Sequence, residues 1–274
     1  LDPYITCESN EIDCNDVCDG IAIIDGCEEC VFPGYECISV VDIDGNEYFG
    51  NQIGSQVWMT SNLRVTKFNN GADISSIPVD QESESNLGGY TYYNLESENA
   101  EIYGNLYNWY AANEEICPLG WHVPTNEEWQ LLIDYSGGNE NAGSSLKDSI
   151  LWDGTNTDGF SALPAGTSHF IDNAFMNLGF ESQFWSMGNE IEGTSKTIRL
   201  NSESNIVGNY YENKFQGISI RCIQNNNFGC TDEVACNFDE NAIEDNNSCL
   251  YQDCAEICGG DSVLSGCDNT CNST

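Results

Sequence analysis

Basic residues are the scarcest feature of this chain. Seven Lys and Arg stand against 45 Asp and Glu, for a formal net charge of −38. So acidic a chain repels phosphate, which excludes nucleic acid and anionic membrane surfaces as partners. Histidine is nearly missing as well, with only His122 and His169. A nucleophile triad needs a histidine beside an orienting acid. His122 falls inside a stretch that reads as structural and His169 in a loop-like segment, so no enzyme activity is expected. Glu127 and Glu128 cannot act as a glycosidase pair, because adjacent helical residues diverge. Long apolar runs are absent too. The longest aliphatic stretch is Ile21-Ala22-Ile23-Ile24, too short to insert in a bilayer. No signal peptide opens the sequence, and the reading is a mature secreted chain whose leader has been removed.

What the chain does have is cysteine, 15 residues, with 11% aromatics. Acidic composition alone would suggest disorder, and these two features argue against it. The charge is then carried on a folded surface, through divalent cations or saline surroundings, or it serves solubility by self-repulsion. Zinc needs Cys or His ligands in tight spacing, and Cys27 and Cys30 form the only such pair. Disulfides in a secreted chain account for the cysteines better. Cys7, Cys14, Cys18, Cys27, Cys30 and Cys37 crowd residues 1–37, a module too short to bury a useful core. Asp13-Cys14-Asn15-Asp16-Val17-Cys18-Asp19-Gly20 returns at the far end as Asp253-Cys254-Ala255-Glu256-Ile257-Cys258-Gly259-Gly260. This is an internal repeat that brackets the middle of the chain.

The middle is organised around Cys117-Pro118-Leu119-Gly120-Trp121-His122-Val123-Pro124-Thr125-Asn126-Glu127-Glu128-Trp129. Thr125 can cap a helix, and Glu128 can reach back to the Thr125 amide. Trp129, Leu132 and Ile133 then fall on one face, and Gly137-Gly138 ends the run. Upstream, Asp44-Gly45 predicts a hairpin between Ser39–Ile43 and Glu47–Phe49. Asp42, Asp44 and Asn46 resemble the start of a calcium loop, but the next ligands are lacking and a turn explains them better. Val57-Trp58-Met59, Phe184-Trp185-Ser186-Met187, Thr197-Ile198-Arg199-Leu200 and Gly217-Ile218-Ser219-Ile220-Arg221-Cys222 read as short strands. Leu106, Trp109 and Tyr110 have helical spacing, and residues 139–146 read as loop. Tyr90, Tyr92 and Tyr93 form an aromatic stripe that could stack on sugar rings, though core packing is the commoner use of such residues.

The order of these blocks, with Ile53-Gly54-Ser55-Gln56-Val57-Trp58-Met59-Thr60-Ser61-Asn62-Leu63, Gly104-Asn105-Leu106-Tyr107-Asn108-Trp109-Tyr110-Ala111-Ala112 and Gly159-Phe160-Ser161-Ala162-Leu163-Pro164-Ala165-Gly166, resembles the Fibrobacter succinogenes major paralogous domain. That is a secreted bacterial module, and the resemblance covers residues 38–224. It implies an α+β fold related to C-type-lectin-like and formylglycine-generating-enzyme-like domains, and it implies no settled activity. It also implies that Cys117 and Cys222 form the domain's own disulfide. Closing a loop of about 105 residues would contribute on the order of 4 kcal/mol in the chain-entropy model. The chain then divides into a cysteine-rich module at 1–37, the central domain at 38–224, an acidic Gly-Cys-Thr-Asp repeat at 225–250 and a second cysteine-rich module at 251–274. Residues 229–249 are similar to short repeats of secreted marine bacterial proteins, and loosely to the thrombospondin type 3 repeat. Asp232, Asn237, Asp239, Asn241 and Asp245 offer closely spaced oxygens that calcium accepts, with solvated acidic turns as the alternative.

Together these features predict a non-catalytic extracellular or cell-surface protein for adhesion or structural assembly, including a subunit of a head-to-tail polymer. Its partners would be other copies of itself, cell-surface proteins or polysaccharide. The alternative is a carbohydrate-binding adhesin, although the Glu-Pro-Asn-like tripeptide of calcium-dependent lectins is absent. Residues 225–274 hold an odd number of cysteines, which suggests either association between chains or a fragment of a longer protein. Cys7 and Cys271 are the candidates for an interchain bond. Asp148-Ser149-Ile150 and Asp261-Ser262-Val263 resemble a bacterial O-glycosylation pattern, which makes Ser149 and Ser262 candidate acceptors.

Overall fold

The structure, a computed structural model, describes residues 23–24, 30–31, 38–76, 86–169, 174–225, 228–236, 238, 244–245, 249–254, 258–260, 264–265 and 270–271. The chain divides into two units, Leu1–Gln224 and Asn225–Thr274.

In the first unit the hairpin forms where Asp44-Gly45 predicts it. Ile38–Val41 (β1) pairs antiparallel with Glu47–Ile53 (β2), which turns back into Gln56–Met59 (β3). Asp42 closes the first turn: its Oδ1 accepts from the Asp44 and Asn46 amides, and its Oδ2 accepts from the Tyr48 hydroxyl at 2.7 Å. Asp44 accepts from the Thr66 hydroxyl at 2.8 Å and from Lys67 Nζ at 3.1 Å. These oxygens hold the turn, as the turn reading expects.

Next in order come Ser75–Ser76 (β4), Gly89–Thr91 (β5), the helix Ser97–Tyr103 (α1), Leu106–Tyr107 (β6) and the single turn Trp109–Ala112 (α2). Helical spacing from Leu106 onward is thus only half right. Leu106 is in a strand, and the helix starts after Asn108, whose Oδ1 accepts from the Ala111 amide at 2.9 Å. Trp121–His122 (β7) leads into the helix Asn126–Tyr135 (α3). The Thr125–Glu128 capping box is complete, and Trp129, Leu132 and Ile133 are the buried face. The run ends where Gly137 takes φ 105°, a conformation a side chain would resist. Residues 142–146, expected as loop, form a short helix (Ala142–Leu146, α4). Small residues and the amide of Val207 donating to the Asn139 carbonyl at 2.8 Å let this segment lie close to the sheet.

The remainder is mostly strand: Thr167–His169 (β8), Ala174–Met176 (β9), Glu181–Ile191 (β10), Thr194–Asn201 (β11), Ser204–Asn213 (β12), Gln216–Ser219 (β13) and Ile223–Gln224 (β14). One sheet runs β12-β11-β10-β13-β6-β5-β4, with β8 joining at β13 and β9 at β8; a second runs β1-β2-β3-β14-β7, and Ile23–Ile24 pairs antiparallel with Cys30–Val31. The strands around Phe184 and Thr197 are longer than their apolar centres, and β12 carries little apolar pattern. Antiparallel pairing with β11 from Thr194↔Asn213 to Asn201↔Ser204 holds it in place. Few helices and many strands make the unit α+β.

Trp129 centres the aromatic packing, 4.7 Å from Trp58, 5.8 Å from Phe160 and 5.4 Å from Phe184. Beside it lies Arg221, fully buried at 0% exposure. Its fork donates from Nε and Nη2 to Asn62 Oδ1 at 3.0 and 2.7 Å, from Nη1 to the carbonyls of Met59 (3.0 Å) and Phe160, and from Nη2 to the Ser161 carbonyl at 3.3 Å. Ser161 sits in the left-handed region at φ 54°, secured by Asn156 Oδ1 accepting from its amide at 2.8 Å. That conformation lets the Phe160 and Ser161 carbonyls both accept from one guanidinium. Burial pulls the Arg221 pKa down to about 9, still well above neutral. Segments around residues 59–62, 160–161 and 221 are therefore tied by one cation that carbonyls and an amide oxygen solvate in place of water.

Cys117 and Cys222 are bridged, both buried. In the second unit Cys230 bonds Cys249, Cys236 bonds Cys258, and Cys254 is also in a disulfide. The first two bridges interleave along the chain, so each loop is crossed by the other's bond. Cys7, Asn237, Asp239, Asn241 and Ser262, with the side chains of Asp245 and Cys271, lie outside the described residues.

Candidate functional site

All seven Lys and Arg lie between residues 64 and 221, and each is already engaged. Arg64 Nε donates to Asn46 Oδ1 at 3.0 Å, and Lys67 pairs with Asp44. Lys147, 3% exposed, donates to the Asn201 and Ser204 carbonyls at 3.2 and 3.1 Å. Lys196 donates to Asn126 Oδ1. Arg199 pairs with Glu181 at 3.7 Å and stacks 3.4 Å from the Tyr210 ring. Lys214 pairs with Glu190 at 2.5 Å and lies 3.6 Å from the Trp109 ring. The scarce cations hold the fold together.

The same is true of the acid beside His122. His122 Nε2 lies 2.9 and 3.0 Å from the two Glu128 oxygens, and Glu128 Oε2 accepts from the Thr125 amide at 2.8 Å. Burial pushes the Glu128 carboxyl up, but His122 and Thr125 outweigh it and hold the group below its ordinary 4.5. A carboxyl depressed in the folded state stabilises above its unfolded pKa and loses that contribution as pH falls through its folded value. Glu128→Gln keeps a side chain able to cap Thr125 but loses the charge facing His122, so it is expected to cost up to about 1 kcal/mol at neutral pH, with the gap to wild type closing in acid below that folded value. Melting curves at neutral pH and in acid check this; an equal gap at both contradicts it.

Of the proposed calcium ligands, only the Asp232 side chain is described. Its Oδ1 accepts from the Val234 amide at 2.9 Å and its Oδ2 from the Tyr251 hydroxyl at 2.8 Å. The Val234 amide foremost, then Tyr251, hold its carboxyl below the ordinary range. Among the described residues no three or more His, Cys, Asp or Glu side chains converge as a metal set. Ser149 is exposed at the tip of a turn that Asp148 Oδ1 closes, accepting from the Ile150 and Leu151 amides at 2.8 and 2.7 Å.

The aromatic stripe is dispersed. Tyr90 packs 6.3 Å from Tyr107 and Tyr93 packs 5.2 Å from Phe175. A different aromatic pair, on α2, lines an open cleft of about 470 Å³. Trp109 and Tyr110 line it together with Phe68, Asn70 and Ala72 from one segment and Asn86 to Gly88 from another. Asn108 builds it: besides capping α2, it accepts from the Gly89 amide at 3.0 Å and donates to the Leu87 carbonyl at 2.9 Å. Gly88 lacks a side chain for a reason, since a Cβ there would lie 2.8 Å from Phe68 Cζ and 3.1 Å from Ala111 Cα. Asn70, Asn113, Glu114 and Glu115 are exposed along the rim. Trp109 is only 7% exposed, and its indole N–H is buried with no acceptor. An orphaned buried donor costs about 1–3 kcal/mol, and the Trp152 indole is left in the same state. Trp109 and Tyr110 were visible in the sequence as a helical pair. The rim was not, because its residues come from two separate turns. The Asn69-Asn70-Gly71 turn was the available signal for one of them.

The sequence model of the Fibrobacter succinogenes major domain matches residues 52–224, more than half of the 274-residue chain. The chain belongs to that family. No curated protein and no solved structure matches it.

Proposed function

We propose that this member of the Fibrobacter succinogenes major domain family is a non-catalytic extracellular surface protein that works in adhesion or structural assembly. The finer fold assignment belongs to the same proposal: a C-type-lectin-like domain, related to formylglycine-generating-enzyme-like folds, between small cysteine-rich modules. One observation carries the reading. The residues that ordinarily do chemistry here hold backbone or each other: Arg221 binds carbonyls, Glu128 caps a helix while meeting His122, and Cys117 is bonded to Cys222. What the domain leaves open is a cleft of aromatic and amide side chains. Such a surface recognises a partner through contact, and the disulfides and the lack, among the described residues, of a helix able to cross a membrane fit a secreted location. Calcium in the second unit, glycans on Ser149 and Ser262, and an interchain bond through Cys7 or Cys271 are further parts of it.

Beads coated with the full chain test the proposal. They are expected to be retained on bacterial cell surfaces or on surfaces coated with the same chain, more weakly after calcium is chelated. Intact mass and a non-reducing gel on the same preparation report glycans and covalent association. Retention no better than albumin-coated beads, or turnover of a substrate by the purified chain, would overturn it.

A further inference from the structure

Resting on the binding role proposed above, we propose that the cleft over Trp109 and Tyr110 is a saccharide site, and that it takes a neutral sugar without calcium. At about 470 Å³ the cleft falls in the size range of small-ligand sites. Its aromatic pair is fixed in advance. Tyr110 meets Trp109 edge-on at 5.5 Å and packs 5.3 Å from Phe215, so its ring loses little freedom when a ligand arrives. An aromatic face offers an apolar platform to the C–H face of a pyranose ring.

Hydroxyl recognition has its own groups. Asn70 and Asn113 at the rim carry side-chain amides, which both donate and accept and so match sugar hydroxyls of either role.

Charge then selects among sugars. Glu114 and Glu115 are exposed on the rim. The cation beside that pair, Lys214, lies on the Trp109 ring and is already paired with Glu190. A uronate, sulfate or phosphate would meet two carboxylates and no available cation, and it is rejected by like charge. Two rim carboxylates do not make a calcium site either, since that ion takes at least six oxygen ligands. Stacking and hydrogen bonds are what the cleft offers.

Titration calorimetry of the full chain in EDTA, against neutral gluco-, manno- and xylo-oligosaccharides and a polygalacturonate oligomer, tests this. At least one neutral oligosaccharide is expected to bind. Tyr110→Ala and, independently, the rim variant Asn113→Ala should each weaken it roughly tenfold, with the melting temperature of Asn113→Ala unchanged. Leu119→Ala, outside the cleft, should bind as wild type, and the uronate oligomer should bind more weakly than the neutral one. No binding of any neutral oligosaccharide, binding indifferent to both cleft variants, a preference for the uronate, or binding only with calcium would each overturn the site. Bead retention that persists in any of those cases leaves the adhesive role standing and removes only the cleft.

Discussion

Arg221→Met is expected to destabilise the central domain by about 3–5 kcal/mol, the cost of leaving several buried acceptors without a donor, reduced by relaxation. The substitution strands Asn62 Oδ1 and the carbonyls of Met59, Phe160 and Ser161 inside the protein. Each buried acceptor left without a donor costs about 1–3 kcal/mol before relaxation. It also removes the reason for Ser161 to keep φ at 54°, so that loop loses its anchor as well. In a domain of this size the fall in melting temperature should be roughly 10 °C. Arg221→Lys keeps the charge but not the planar fork, so one ammonium cannot reach all four acceptors. An intermediate loss follows. Thermal unfolding of the three proteins measures it, and a loss below about 1 kcal/mol for Arg221→Met would mean the cluster is solvated some other way.

The second large effect is the bridge. Opening Cys117–Cys222, by the paired alanine substitutions or by reduction, releases a loop spanning 105 residues. On the order of 4 kcal/mol should be lost in the chain-entropy model. Both cysteines are buried, at 3% and 0% exposure, and the Cys222 carbonyl accepts from the Met59 amide at 3.1 Å while Asn69 Nδ2 donates to the Cys117 carbonyl. The loss therefore includes packing beside the same residues that Arg221 holds. Because the two sites are neighbours through Met59, their combined loss should depart from the sum of the single ones. Denaturant melts of single and combined variants check both points, and a stability unchanged on reduction would contradict the first.

Much of this was legible in advance because it is local. The capping box at Thr125–Glu128, the face of Trp129, Leu132 and Ile133, and the Asp42–Asn46 turn depend on residues within a few positions of one another, and the structure shows them as read. β12 was not legible. Ser-Asn-Ile-Val-Gly-Asn-Tyr-Tyr-Glu-Asn has no apolar alternation, and it is extended because β11 pairs with it. The one-turn α2 was misread at its start because Leu106 belongs to a strand whose partners, Thr91 and Ser219, lie elsewhere in sequence. In the sequence Arg221 reads only as part of a strand-like block. Nothing near it in sequence announces a buried cation, since its acceptors are 60 to 162 residues away. The cleft has the same character: one short segment brings Trp109 and Tyr110 to it, and the rest of its lining comes from two others.

The account rests on a separation between groups that hold the domain together and groups that meet a ligand. Binding of a neutral oligosaccharide by Arg221→Lys and by Tyr110→Ala, measured side by side where both are folded, tests that separation directly. The account predicts wild-type affinity for Arg221→Lys and a roughly tenfold loss for Tyr110→Ala. A folded Arg221→Lys that no longer binds, beside a Tyr110→Ala that does, would place the buried cation in the binding site and contradict it.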